Sequence, residues 1–125
     1  MIAGGNATIY VSDLGRSVRF YVETLGFKLI ERFGDEWAAV DAGDGLVLGL
    51  HPARVDGPMP GAAGSIQVGF NVTTPIAEVV EVLENRGVAF HGRVVGGVDD
   101  VVRLAFFSDP DGNALYLVEA SAPAK

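Results

Sequence analysis

No cysteine occurs among the 125 residues, which excludes a disulfide framework and a thiolate-held metal. Histidine is nearly as scarce, with only His51 and His91. Basic residues are outnumbered nine to sixteen by acidic ones, and a net charge of −7 argues against nucleic acid as a partner. No apolar run approaches the ~18 residues of a bilayer-spanning helix, and the first residues lack the basic start of a secretory signal. These absences point to a cytoplasmic protein with a solvated acidic surface and no membrane partner. Activated nucleophiles are missing too: Ser65 has no recognisable histidine–acid partner, and Gly96-Gly97 lacks the lysine of a phosphate loop. No residue is assigned a catalytic role.

What is present is a hydrophobic content of 49%, in the range of a globular chain and enough for one domain's core. From Asn6 to Val11 the residues alternate, with Ala7, Ile9 and Val11 on one side and Asn6, Thr8 and Tyr10 on the other, as in a two-faced strand. Asp13 then stands as a helix cap. Leu14, Val18, Tyr21, Val22 and Leu25 follow at helical spacing, and Gly26 supplies a left-handed stop. Phe27 to Phe33, Trp37 to Asp41 and Leu46 to His51 read as three more strands, separated by Gly34-Asp35 and Gly43-Asp44-Gly45. The first module is therefore βαβββ, over about residues 6–51.

Residues 52–64 are rich in proline and glycine and lack periodicity, as expected of a connector. The same element order then recurs over about residues 65–119. Ser65 to Val72 alternates, Thr74-Pro75 suits a helix start with the hydroxyl as cap, and Ile76, Val79, Val80 and Leu83 form an apolar stripe closed by Gly87. Val88 to Val95, Val101 to Ser108 and Ala114 to Glu119 read as three further strands. The repeat rests on pattern, because residue identity between the halves is poor.

The segment VSDLGRSVRFYVETLGF (Val11–Phe27), together with DPDG (Asp109–Gly112) within FFSDPDGNALYLVE, resembles the vicinal oxygen chelate superfamily. That group includes glyoxalase I, extradiol dioxygenases, and fosfomycin- and bleomycin-resistance proteins. The resemblance runs from Asn6 to Glu119. It implies an α+β fold in which two βαβββ modules curl a mixed sheet into half-barrels around a ligand cup, all within one domain spanning residues 1–125. It also implies a homodimer, a state that unpaired strand edges favour physically. Metal-binding relatives use four strand positions that fall here on Asn6, Gly49, Ser65 and Tyr116. Glycine offers no donor, neutral Asn and Ser are feeble ligands, and tyrosine would have to lose a proton with a reference pKa near 10. The expectation is no metal and no cofactor.

Strand parity assigns the cup face to Asn6, Thr8, Tyr10, Trp37, Val47, Gly49, His51, Ser65, Gln67, Leu104, Phe106 and Tyr116. Such a lining, aromatic and apolar with a few uncharged polar groups, suits a planar or amphipathic small molecule. Ordinary sheet packing or a dimer contact would use Trp37, Tyr10 and Phe106 equally well, and a histidine at a strand end commonly serves only to hydrogen-bond there. Gly49 and Gly69 would either leave room for a ligand against the backbone or mark bulges. The reading is metal-free sequestration of an aromatic or amphipathic small molecule, of antibiotic-resistance or secondary-metabolite character. The alternatives are a superfamily enzyme (lyase, isomerase or dioxygenase) with atypical metal ligands or none, and an interaction module without a small ligand.

Overall fold

Alternation in the first strand, β1 (Ala7–Val11), buries Ile9 and Val11 on one face and leaves Thr8 exposed on the other, as the period-2 pattern requires. The computed structural model describes Met1 and residues 5–63, 66–96 and 102–120. It is of the α+β class, with a four-stranded and a three-stranded mixed sheet, neither closed on itself among the described residues. Among the described residues, no helix is long and apolar enough to cross a membrane. The chain divides into two compact units. Met1–Ile66 with Asp109–Asn113 forms one, and Gln67–Ser108 with Ala114–Lys125 forms the other.

In the first unit, β1 is followed by α1 (Leu14–Arg19), a π-helical turn at Phe20–Thr24, β2 (Lys28–Phe33), β3 (Trp37–Gly43) and β4 (Leu46–Pro52). The sheet order is β1-β4-β3-β2, with β1 parallel to β4 and the other pairs antiparallel. Asp13 caps α1 by accepting the Arg16 N–H at 3.0 Å. That hydrogen bond, helped by the charges of Arg16 and Arg19, holds its carboxyl below the usual value. The helix predicted as one run changes pitch at Phe20: the Leu25 N–H reaches back to the Phe20 carbonyl, and Gly26 at φ 81° ends it. Leu14, Val18 and Tyr21 bury against Ile9, Val11, Ala38, Val40, Leu48 and Leu50, which form this unit's core.

The Asp-Pro-Asp-Gly segment is built into the same unit. Asp109 opens a turn closed by the Gly112 N–H to its carbonyl at 2.9 Å, with Pro110 in the second position that proline favours. The Asp109 side chain is buried and accepts four hydrogen bonds. Oδ1 takes the N–H groups of Asp111 and Asn113, and Oδ2 takes the Tyr21 hydroxyl at 2.9 Å and Asn113 Nδ2 at 2.8 Å. Burial, followed by the neighbouring carboxylate, pushes the Tyr21 hydroxyl far above its ordinary pKa, so it remains a donor. Asp111 accepts from the Ser12 N–H and hydroxyl and pairs with Arg16 at 3.1 Å. The connector joins this cluster through the Gly61 N–H, which donates to Asn113 Oδ1 at 3.1 Å. A side chain at Gly61 would strike the Asp111 carbonyl, so only glycine permits that approach.

In the second unit, β5 (Gln67–Asn71), α2 (Ile76–Asn85), β6 (Val102–Ser108) and β7 (Ala114–Ala120) give the sheet order β5-β7-β6, with β5 parallel to β7. Ile76 and Leu83 of α2 and Val88 bury with Phe70, Ala105, Phe107, Leu115 and Leu117. Two sequence expectations fail here. Pro75 occupies the cap position rather than the first helical one, and no side chain of its own caps the helix. Instead Glu119 of β7 accepts the Ile76 N–H at 2.8 Å. The segment Val88–Val95 is not a strand. Its backbone meets that of β6 at the His91 N–H to Phe106 and at the paired bonds of Val95 and Leu104, but the two do not run on as a ladder, because Gly92 at φ 80° bends the chain between them. At its other end α2 closes as expected: Gly87 at φ 96° lets the Gly87 and Val88 N–H groups return to Glu84 and Leu83.

Replacing Tyr21 by Phe should cost about 1.5–3 kcal/mol, since it removes a buried hydrogen bond to a charged group. Asp109→Ala should cost more, about 3–5 kcal/mol, because it orphans several donors at once. Urea denaturation midpoints measure both, and a Tyr21→Phe variant as stable as the parent would deny the network its importance.

Candidate functional site

Each sheet has one face packed under its helix and an opposite, open face, and strand phase decides which side chains reach the latter. On the first sheet, Thr8 stands beside Gly49 and Tyr10 beside His51 in the β1–β4 register, while Ala39 flanks Gly49 from β3. Trp37 projects to this face and lays its indole across Gly49. A Cβ added to that glycine would collide with the ring. The indole N–H donates to Glu31 Oε2 at 2.9 Å, which fixes the ring from its other end. The His51 ring meets Tyr10 edge-on at 5.7 Å, and its Nδ1 lies 2.7 Å from the Pro52 carbonyl. A carbonyl only accepts, so Nδ1 is the donor in that contact.

Thr8 and Tyr10 also line a cavity of about 220 Å³ whose other walls include Pro58, Met59 and Ile66. The Arg54 guanidinium stands 6.0 Å from the Tyr10 ring centroid. The connector residues Arg54, Pro58 and Met59 were not among the sequence-predicted site residues. Their only sequence signal is a methionine and an arginine amid prolines, which no periodicity organises. Asn6 and Val47 lie apart from this group, in a shallow depression of about 350 Å³ with Gly45 and Leu46.

On the second sheet, the open face carries Gln67 and Gly69 from β5, Tyr116 from β7, and Leu104, Phe106 and Ser108 from β6. The Phe106 and Tyr116 rings lie 5.8 Å apart and tilted by 36°. Tyr116 lies across Gly69 much as Trp37 lies across Gly49, its ring occupying the place where a Cβ would sit. Both glycines therefore depart from the sequence expectation. Neither leaves room for a ligand at the backbone and neither is a bulge, since each sits in continuous register and its space is filled by a ring. Ser65 lies outside the described residues.

Three of the four positions that relatives use for metal are described, and their residues do not fit a divalent ion. Asn6 is exposed and neutral, the space above Gly49 holds an indole, and Tyr116 is a phenol packed on glycine. Among the described residues, no three His, Cys, Asp or Glu side chains gather as a donor set.

Comparison with known proteins gives a consistent picture. The model of the Glyoxalase/Bleomycin resistance protein/Dioxygenase superfamily matches residues 5–117. No curated protein gives a significant match. Among solved structures, TnmS3, an antibiotic binding protein from Streptomyces sp. CB03234, is 30% identical with a TM-score of 0.78, over 97% of this chain and 98% of its own. A superfamily member from Sphaerobacter thermophilus DSM 20745 is 30% identical with a TM-score of 0.77, over 95% and 98%. A glyoxalase/bleomycin resistance protein from the same Streptomyces strain is 31% identical with a TM-score of 0.70, over 92% and 98%.

Gly49→Ala should force the indole off its seat and away from Glu31. The expected result is a red shift of Trp37 emission with a loss of about 1–3 kcal/mol in stability. An unchanged spectrum and denaturation midpoint would show that the ring does not rest on this glycine.

Proposed function

Since the chain belongs to the glyoxalase/bleomycin resistance protein/dioxygenase superfamily, we propose that it binds and sequesters an aromatic or amphipathic small molecule without using a metal. The observation that carries this reading is the Trp37 indole stretched over Gly49, at one of the positions where metal-binding relatives place a donor. A ring there offers a stacking surface, and Tyr10 and His51 extend it along the neighbouring strands. The cavity beside Tyr10 adds apolar walls from Pro58, Met59 and Ile66, and methionine adapts its shape to a guest. The likeness to an antibiotic binding protein at 30% identity supports a ligand of antibiotic or secondary-metabolite type.

Protection by sequestration needs tight binding, and a nanomolar constant corresponds to about −12 kcal/mol. Stacked rings and buried apolar area on a preformed surface supply energy on that scale, whereas isolated hydrogen bonds do not. The same reading includes a cytoplasmic setting and a homodimer. The edge strand β2 supports the homodimer, since it leaves Leu29, Ile30 and Phe33 exposed.

Trp37 is the only tryptophan, so its emission reports directly on this face. Titration with a panel of aromatic antibiotics should quench it saturably for at least one compound. Trp37→Ala should then weaken binding of that compound by about 10- to 100-fold in calorimetry. No response across the panel would remove the binding reading. Stoichiometric zinc, iron, manganese or nickel in the purified protein would replace it with a metal-dependent one.

A further inference from the structure

The open face of the second unit carries a polar pair that the aromatic reading leaves unused. Phe90 turns inward, its ring 5.2 Å from the buried Phe107, and His91 emerges on the opposite side. There the His91 Nε2 lies 2.7 Å from Ser108 Oγ, and the His91 N–H donates to the Phe106 carbonyl at 2.7 Å. Ser108 follows Phe106 by two residues on β6, so both side chains project to the same face as Tyr116. A polar pair thus stands at the end of an aromatic one. A serine hydroxyl has one donor and two acceptor sites, and a neutral imidazole has one of each, so their mutual bond leaves hydrogen-bonding capacity on both.

We propose that His91 and Ser108 anchor the oxygen of a phenolic ligand whose ring stacks on Phe106 and Tyr116. This site rests on the small-molecule reading above and adds the polar half of the ligand. The chemistry selects a neutral hydroxyl over a charged group. A chain with a net charge of −7 disfavours an anion, and the pair itself offers no carboxylate to a cation. Arg93 does not join it, because that side chain lines a separate cavity of about 260 Å³ with Val80, Glu84 and Phe90. When Ser108 donates to His91 Nε2, its oxygen accepts the ligand hydroxyl. In the other tautomer the imidazole N–H donates to Ser108, whose own proton is then free for the ligand oxygen.

The test uses 2-naphthol and 2-methylnaphthalene, which share a ring system and differ by a hydroxyl in place of a methyl group, titrated into the isotope-labelled full chain. The expected result is that 2-naphthol shifts the amide signals of His91, Phe106, Ser108 and Tyr116 and binds there about tenfold more tightly than 2-methylnaphthalene. Ser108→Ala should erase that preference, and Ser108→Thr, which restores the hydroxyl on a strand-compatible side chain, should keep it. Equal affinities at this face, or a preference that survives Ser108→Ala, would overturn the proposal. Shifts confined to Tyr10, Trp37 and His51 would overturn it while leaving the broader binding reading intact. Failure of both naphthalenes and of the antibiotic panel would overturn both.

Discussion

Asp109 is a buried carboxylate, and the first unit is arranged to make that burial tolerable. An ionised acid taken out of water is strongly destabilising unless its lone pairs are met, and here four donors meet them. The donors come from two distant stretches of chain: Tyr21 from the π-helical turn after α1, and Asp111 and Asn113 from the loop that follows β6. Asn113 passes the constraint on, donating to the Tyr10 carbonyl at 3.4 Å and accepting from Gly61. The strand that presents Tyr10 and the connector that walls its cavity are thus held by one hydrogen-bonded cluster. The π turn fits this role, since the change of pitch at Phe20 accompanies a Tyr21 that is fully buried with its hydroxyl on Asp109.

Both units solve the open face in the same way. A residue without a side chain lies under an aromatic ring from a neighbouring strand, Trp37 over Gly49 and Tyr116 over Gly69. A glycine in a strand interior forfeits conformational entropy and packing area. That loss is offset when an aromatic ring fills the space a side chain would take. The consequence for function is an exchange of chemistry on a shared architecture: ring surface stands at two of the positions where relatives place donors. On the first sheet, Glu31 is engaged by the indole and His51 by a carbonyl. Such surfaces are the ground for proposing a flat, weakly polar guest.

The faces of the strands were legible from alternation alone. Thr8, Tyr10, Trp37, Gly49 and His51 share a side because their spacing along the chain and the strand period leave little choice, and the same holds for Gln67, Phe106 and Tyr116. Caps and stops written in short-range chemistry were equally readable at Asp13, Gly26 and Gly87. The cap of α2 was not readable, because Glu119 reaches it from 43 residues away. The walls contributed by Pro58 and Met59 were hidden for a related reason, since an aperiodic connector gives no phase from which to read a facing side.

Residue order determined by itself most of the elements and the faces of the strands, which follow from steric and hydrogen-bonding preferences acting over a few residues. Tertiary structure alone decided that the glycines would be roofed by rings, that the stretch after α2 would skirt β6 without joining the sheet, and that His91 would meet Ser108. Those outcomes depend on which atoms come within a few ångströms across strands and loops. Such distances are fixed only when the whole core packs, and no local pattern carries them.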